Sequence, residues 1–421
     1  MHRFAYCLVT AALAGAGQAA AATLTLSCTA LGAEADLCRE AADRWSAETG
    51  HTVEIVHPPQ SASEQLALYQ QLLAAESPDI DVLQIDVIWP GILGPHLLDL
   101  SGRVDPDILS AHAPALLAGV QRGDAVLALP WFVDAGVLYY RADLLDQHVY
   151  DVPSTWQELT ETAAAIQEAE RAAGNDRFWG FVWQGRAYEG LTCNALEWIA
   201  SFGGGTVVDA DGSITLANDA AAAALDLAAS WVGTISPPGV LNYTEEDARA
   251  VFQSGDALFM RNWPYAFALA QGPDSPIAEG VAVAVLPAGG PDGNPAATLG
   301  GGLIAVSRYS RHPDEAVALA TFLTSPEEQR RRAIAGSYAP TYPDLYGDAE
   351  LVAAVPFLGL FGDTLASVVA RPAAVTGGYY NEVSSIFYGA VHAVLSGAQS
   401  GQAALADARA ELIRLSRGGS W

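Results

Sequence analysis

The sequence predicts an α/β protein with a mostly parallel sheet. After residue 22, β-type and helical runs alternate over 23–27, 36–49, 53–56, 64–75 and 81–85. The first helical run places Leu37, Ala41 and Trp45 on one face, as an amphipathic helix requires. A β-α-β-α-β order is typical of a parallel sheet covered by helices.

Ligands of parallel α/β sheets bind beyond the carboxyl ends of the strands. In this chain those ends carry residues 28–34, 57–63 and 86–89. We therefore expect part of the binding site in these three segments.

Further elements follow along the chain. Helical spacing predicts helices over 156–171, 194–202, 218–232, 313–324 and 326–335, and a final helical region over 381–417. Residues 207–215 predict a hairpin, and 303–307 predict another strand. The apolar stretch 351–370 contains Pro356 and Gly359, so we expect loop and helix there and not a membrane span.

The composition excludes several classes of function. A length of 421 residues is sufficient for two domains, and 51% hydrophobic with 16% charged residues is typical of a globular protein. The formal net charge is −28, and all 20 basic residues are Arg. Such a surface repels nucleic acids and anionic membranes, and the absence of Lys excludes a Schiff-base or P-loop lysine.

The first 22 residues predict a secretory signal peptide. A basic start at His2 and Arg3 precedes an apolar stretch, and small residues follow up to Ala22. The apolar stretch is too short, and too interrupted by Gly, to span a membrane. We expect cleavage after Ala20 or Ala22 and a soluble, periplasmic mature protein.

Three cysteines remain after the signal peptide. Cys28 and Cys38 lie ten residues apart in an exported protein, which favours a disulfide between them. Cys193 is then expected to be a buried free thiol. No CxxC pair occurs and the histidines are scattered, so neither a metal site nor a cofactor is predicted.

The run PWFVDAGVLYYR at 130–141 places one carboxylate, Asp134, among aromatic rings in an apolar segment. Rings beside a carboxylate that accepts hydroxyl hydrogen bonds suit a sugar site, whereas the alternative is a buried strand with Asp134 at a turn. Residues 178–190 and 261–265 are also rich in rings with polar neighbours. No nucleophile elbow, HExxH or P-loop motif occurs, so no catalytic residue is assigned.

These segments resemble the extracellular solute-binding proteins of ABC sugar importers, of the maltose-binding type and most similar to the trehalose/maltose-binding branch. The resemblance spans essentially the whole mature chain. Its motifs, in order, are ALYQQLL (67–73), QIDVIWPGIL (84–93), LPWFVDAGVLYYRADLL (129–145), PSTWQEL (153–159), FWGFVWQGRAYEGLTC (178–193), ISPP (235–238), RNWPYAF (261–267), AATLGG (296–301) and RP with YY (371–380).

The resemblance implies two α/β lobes joined by a multi-stranded hinge, with the ligand between them. The run at 130–141 is then the first crossing, which accounts for a polar residue in an apolar strand. The expected ranges are 23–132 and 298–352 for lobe one, 137–293 and 357–421 for lobe two, and 133–136, 294–297 and 353–356 for the crossings.

Carried over position by position, the resemblance implies a ligand site formed by Glu34, Ser61, Asp86, Phe132, Asp134, Tyr188, Glu189, Trp263, Gly300, Gly301, Gly302, Arg371 and Tyr380. Hydrogen bonds to sugar hydroxyls would come from Glu34, Ser61, Asp86 and Asp134. Trp263 would stack on a pyranose ring, and Arg371 would donate a bidentate pair. The glycines would let the backbone approach the ligand closely.

Three positions depart from the trehalose/maltose-binding branch. Leu66 stands where those relatives have Arg, Phe132 where they have Tyr, and Gly302 where they have Trp. Each lost donor or stacking ring changes affinity by roughly 1–3 kcal/mol. We therefore expect an altered glycoside, bulkier or substituted.

The resemblance implies a monomeric, non-catalytic receptor that closes on an α-glucoside-like glycoside or oligosaccharide and delivers it to the permease subunits of an ABC importer. The alternative from another class is a secreted hydrolase that uses two carboxylates among Glu34, Asp86 and Asp134. A chemosensory binding protein without transport is a third possibility that the sequence does not separate from the first.

Overall fold

The structure is a computed structural model that describes residues 21–112, 114–290, 293–359, 368–418 and 421. Its strands are β1 Thr23–Ser27, β2 Thr52–Val56, β3 Val82–Asp86, β4 Gln121–Arg122, β5 Ala125–Val126, β6 Leu129–Ala135, β7 Val137–Arg141, β8 Trp179–Val182, β9 Ala257–Asn262, β10 Val281–Ala284, β11 Ala297–Val306 and β12 Val368–Val369.

The helices in the same ranges are α1 Glu34–Thr49, α2 Ala62–Ala74, α3 Pro90–Leu93, α4 Pro106–Ser110, α5 Pro114–Val120, α6 Ala142–His148, α7 Trp156–Ala172, α8 Glu189–Ser201, α9 Asp219–Trp231, α10 Glu245–Gln253, α11 Ala266–Ala270, α12 Pro313–Leu323, α13 Pro326–Gly336, α14 Ala349–Ala354, α15 Ala373–Thr376, α16 Tyr380–Leu395 and α17 Gly401–Leu415. Short 3₁₀ turns lie at Gly94–His96, Pro238–Asn242, Ala278–Gly280, Pro343–Gly347 and Gly377–Tyr379.

Two main sheets organise the chain. The first has the order β12-β11-β3-β1-β2, with β6 paired to the other side of β11, and the second has the order β10-β7-β9-β8. In the first sheet β1 runs parallel to β2 and β3, whereas β11 runs antiparallel to β3 and β6. Helices α1 and α12 pack on the first sheet, and α7 and α10 pack on the second. The predicted α/β class is confirmed.

Local sequence signals account for the ends of the long helices. In α7 the Thr155 hydroxyl accepts from the Glu158 backbone N–H, and the Glu158 carboxylate accepts from the Thr155 N–H, which is a capping box. Helix α1 ends at Gly50, whose φ of 77° is the left-handed conformation that glycine adopts without strain.

The predicted elements differ from the observed ones at a few places. The helix predicted over 194–202 begins five residues earlier, at Glu189, and the final helical region is two helices separated at residues 396–400. The hairpin over 207–215 is a tight turn closed by a single bridge between Val208 and Ile214. The stretch 351–370 contains α14 and β12, while its residues 360–367 lie outside the described ranges. Among the described helices none is both long and apolar enough to cross a bilayer.

The chain passes from the first sheet to the second at Gly136. Strand β6 pairs with β11, and β7 pairs with β9 and β10, so the run 130–141 forms two strands in different sheets. A side chain at Gly136 would collide with the carboxylate of Glu197 and the guanidinium of Arg261. Only glycine therefore fits at this crossing.

Cys28 and Cys38 form a disulfide, as the sequence predicts, and Cys193 is a buried free thiol. The bond links the end of β1 to the first turns of α1. It thereby closes the loop that carries Thr29, Leu31 and Glu34.

We expect Cys28→Ala combined with Cys38→Ala to lower the free energy of unfolding by about 3 kcal/mol, because the bond closes a loop of ten residues. Urea denaturation with and without reductant measures this effect. Reductant should destabilise the wild type and Cys193→Ser alike and leave the double variant unchanged. Equal destabilisation of all three proteins by reductant would contradict the prediction.

Candidate ligand-binding cleft

A cavity of about 140 Å³ lies where the carboxyl ends of β1, β2 and β3 face the second sheet. This is the position that parallel α/β sheets favour for a ligand. The lining residues are Thr29, Leu31, Glu34, Gln60, Ala62, Gln65, Gln84, Ile85, Asp86, Trp89, Phe132, Asp134, Glu189, Gly190, Cys193, Glu245, Trp263, Tyr265, Gly300, Gly301, Gly302, Tyr338 and Arg371.

Most of the predicted site residues come together at this cavity. Those that line it are Glu34, Asp86, Phe132, Asp134, Glu189, Trp263, Gly300, Gly301, Gly302 and Arg371. Ser61, Tyr188 and Tyr380 do not line it. The Tyr188 hydroxyl donates to Glu245 (2.6 Å), and the Tyr380 hydroxyl donates to Glu189 (2.5 Å).

Several lining residues were not singled out from the sequence. Thr29, Gln60 and Trp89 belong to the strand-end segments that were expected to carry the site. Gln84 could have been found, because it precedes Asp86 by two residues in the same strand and so lies on the same face. Glu245, at the start of α10, has no comparable sequence pattern.

Arg371 lies between two carboxylates from different parts of the chain. Its Nη1 and Nη2 donate to the two oxygens of Asp86 at 3.0 and 2.6 Å, and Nη1 also donates to Glu189 at 3.0 Å. Glu189 further accepts from Ser384 at 2.6 Å. Burial raises the pKa of Glu189, and the charge of Arg371 opposes this effect. Asp86 and Glu189 thus share one cation across the cleft.

Glu34 is held by a second arginine. Its carboxylate accepts from Arg332 at 2.9 Å and from the Thr29 hydroxyl. The Arg332 guanidinium lies 3.7 Å from the ring of Trp131 and 4.5 Å from the ring of Tyr338. These contacts fix Glu34 in one orientation at the cavity wall.

Asp134 differs from the other carboxylates of the cleft. It is 9% exposed, and its Oδ1 has no hydrogen-bond partner within the described part of the chain. Burial, reinforced by the negative charges of Glu34 and Asp86, raises the pKa of Asp134 to about 7, although Arg261 and Arg332 oppose the rise. Asp134 therefore provides an acceptor that no described residue uses.

Trp263 is positioned from behind by a buried ion pair. The Arg261 guanidinium lies 3.9 Å from the Trp263 ring and donates to Glu197, with Nε at 2.8 Å from Oε2. Glu197 also accepts from the backbone N–H of Thr298 at 3.1 Å, and both members of the pair are fully buried. The Trp263 ring is thus linked, through Arg261 and Glu197, to the backbone at the start of β11 in the first sheet.

The glycines of β11 admit the rings of the cleft. A Cβ at Gly300 would lie 3.1 Å from the Trp263 ring, and a Cβ at Gly302 would overlap the ring of Phe132. The Phe132 ring thus lies where a side chain at position 302 would begin. Leu66, the third departure from the branch, is buried in the core and does not line the cavity.

Two polar contacts join the parts of the chain at the rim of the cleft. Arg186 donates to Glu64 at 2.6 Å, and the backbone N–H of Glu189 donates to the Ser63 hydroxyl at 3.1 Å. Both contacts connect the start of α2, beside the first sheet, with the segment that leads into α8. In the described ranges no group of three or more His, Cys, Asp and Glu side chains is arranged to hold a metal ion.

The profile of the family described as bacterial extracellular solute-binding protein matches residues 33–330. The chain belongs to this family. Over the full length of both chains, this solute-binding protein is 48% identical to the "Probable ABC transporter-binding protein" of Deinococcus radiodurans.

Among solved structures, it is similar to maltose-bound MalE3 of T. maritima, with a TM-score of 0.89 and 38% identity over 94% of this chain and 100% of that chain. The GacH receptor of Streptomyces glaucescens has the same two-lobed fold, with a TM-score of 0.82 and 23% identity over 94% of this chain and 98% of that chain.

We expect Asp134→Asn to become more stabilising, relative to the wild type, as the pH rises. Between about pH 4 and 7 folded Asp134 keeps a proton that the unfolded chain releases, so its contribution to stability falls with rising pH. The difference in unfolding free energy between variant and wild type should therefore shift by about 4 kcal/mol between pH 4 and 8. Urea titrations at both pH values test this, with Asp36→Asn on the surface as control. A difference that does not change with pH would contradict it.

We expect removal of one partner of the buried pair to destabilise the fold far more than removal of one partner of the rim pair. Glu197→Gln leaves the Arg261 charge buried without its partner and should cost about 3–5 kcal/mol. Glu64→Gln removes a solvent-exposed pair and should cost less than about 1 kcal/mol. Chemical denaturation of the two ligand-free variants makes the comparison, and similar costs would show that the buried pair has no special role.

Proposed function

We propose that this solute-binding protein captures a glycoside or oligosaccharide in the cleft and delivers it to an ABC importer. The observation that carries the proposal is the unused acceptor of Asp134, which shares a wall with the Trp263 ring and Gly300. A carboxylate accepts hydroxyl hydrogen bonds, and a flat ring packs against the apolar face of a pyranose. The similarity to a maltose-bound relative supports a ligand of the α-glucoside type.

The protein acts as a receptor and not as a hydrolase. Glycoside hydrolysis needs two carboxyl groups that act as acid and as base or nucleophile. Here Glu34 is bound by Arg332, and both oxygens of Asp86 are bound by Arg371. Of the three carboxylates considered for catalysis, only Asp134 has an oxygen without a partner among the described residues.

The two sheets form the cores of two lobes that close on the ligand. Lobe one comprises 23–132 and 298–352, and lobe two comprises 137–293 and 357–421, although β12 in the second of these ranges pairs with β11. The rim contacts of Glu64 with Arg186 and of Ser63 with Glu189 fasten the closed arrangement. Since binding and closure are linked, the importer can distinguish the loaded receptor from the empty one.

The mature receptor begins after Ala20 or Ala22, works as a periplasmic monomer and presents its closed lobes to the permease subunits. Its ligand differs from trehalose and maltose in shape or substitution. The support for this difference is the Phe132 ring, which occupies the position that the Cβ of a larger residue at position 302 would need. The aromatic side chain that the trehalose/maltose-binding branch has there is therefore replaced by a different surface. Calorimetry with both disaccharides tests it, and tight binding of either with no better ligand would refute it.

A thermal-shift screen over α-glucosides should identify a ligand that raises the melting temperature. At 100 times its Kd such a ligand stabilises the fold by about 2.7 kcal/mol. Trp263→Ala should weaken its binding by roughly 10- to 100-fold, about 1.4–2.8 kcal/mol, because the stacking surface is lost.

Trp179→Ala is the matched control, since Trp179 lies in β8 and does not line the cavity. The sugar should be recovered unchanged after incubation, and the appearance of reducing ends would favour the hydrolase. Equal affinities of the Trp263 and Trp179 variants would remove Trp263 from the site.

A further inference from the structure

The charges that line the cleft are strongly unequal. Its described walls carry one guanidinium, that of Arg371, and five carboxylates, those of Glu34, Asp86, Asp134, Glu189 and Glu245. Adding Arg332 and the pair of Glu197 with Arg261, which lie immediately behind the walls, leaves six carboxylates against three guanidiniums.

The single lining cation is already neutralised. Arg371 donates both Nη groups to Asp86 and shares one with Glu189. Its Nε has no partner in the described structure. This free N–H does not make the site positive, because the single charge of Arg371 is already balanced by the carboxylates of Asp86 and Glu189. Among the described residues, the side-chain donors to the Glu245 carboxylate are both neutral, the Tyr188 hydroxyl at 2.6 Å and the Trp263 indole at 3.4 Å.

Asp134 is the negatively charged group of the cleft that is available to a ligand. Its side chain lines the cavity, is about nine-tenths buried and has an oxygen with no donor from the described residues. The nearest basic groups, Arg261 and Arg332, donate to Glu197 and Glu34 instead. The protein therefore presents a carboxylate to the ligand without supplying a counter-ion.

We propose that the natural ligand is a glycoside that carries a basic nitrogen, bound as an ammonium group that donates to Asp134, and that sugars carrying phosphate, sulfate or carboxylate are excluded. This inference rests on the proposed function, and it specifies the chemical class of the sugar.

The physical reasons act in the same direction. A buried carboxylate without a counter-ion is costly, and a ligand ammonium removes that cost while it makes a charge-assisted hydrogen bond. Trp263, Tyr265 and Phe132 also line the cavity, and aromatic rings attract cations to their faces. An anionic group would instead lose its water shell among carboxylates with no uncompensated cation to bind.

Isothermal titration calorimetry at about pH 7.5 and physiological salt tests the inference on the full mature chain. The probes are trehalose and maltose, mono-amino-deoxy trehaloses with the amine at C2, C4 or C6, and trehalose 6-phosphate. We expect at least one amino isomer to bind 10-fold or more tightly than trehalose, and the phosphate to bind at least 10-fold more weakly. In Asp134→Asn the ratio of amino to neutral affinity should fall to about one.

Glu48→Gln, which removes an exposed negative charge far from the cavity lining, is the control for the net charge of −28 and should leave the ratio unchanged. The inference is overturned if trehalose or maltose binds as tightly as every amino isomer, or if trehalose 6-phosphate binds as well as trehalose. Wild-type data alone decide this if the Asn variant does not fold. Failure of every probe to bind at millimolar concentration would overturn the proposed sugar-binding function itself, and the inference with it.

Discussion

The ion pair of Glu197 and Arg261 lies where the chain passes between its two sheets, and the site depends on it. It contacts the first crossing at Gly136, accepts the backbone N–H of Thr298 at the second crossing, and supports the Trp263 ring. A fully buried pair of this kind contributes less to net stability than to fixing one arrangement, because its desolvation offsets most of its attraction. Here the arrangement it fixes is the orientation of the stacking surface relative to both sheets.

The cleft contains carboxylates that are held in place by other side chains and one carboxylate, Asp134, that is not held in this way by any described residue. Glu34, Asp86 and Glu189 are held by arginines and hydroxyls, so their positions are set before a ligand arrives. Preorganised polar groups lower the ordering cost of binding. Asp134 lies in β6 and keeps an acceptor without a partner in the described structure, and so the proposed ligand would interact with it most directly.

Much of the fold could be predicted because its first elements have strong periodicity. Strands 1 to 3 and their helices follow the alternation of the sequence within one or two residues, and the disulfide follows from two cysteines in an exported chain. The division of 130–141 between two sheets leaves no signal in the periodicity, since β6 and β7 are both apolar and only Gly136 separates them, and only the family resemblance predicted a crossing there. Likewise, no local pattern shows that Arg371 binds Asp86, which is 285 residues away in sequence.

The single glycine between β6 and β7, Gly136, limits how the two sheets can move relative to each other. Strand pairing fixes the backbone on both sides of Gly136, and a side chain at this position would collide with the buried ion pair. The connection between the two strands is therefore as short as it can be. Rotation of one sheet against the other would therefore have to change the backbone dihedrals at Gly136. In the proposed closure, ligand binding would change the angle between the sheets at this crossing, and that angle is what the proposed permease partner would recognise.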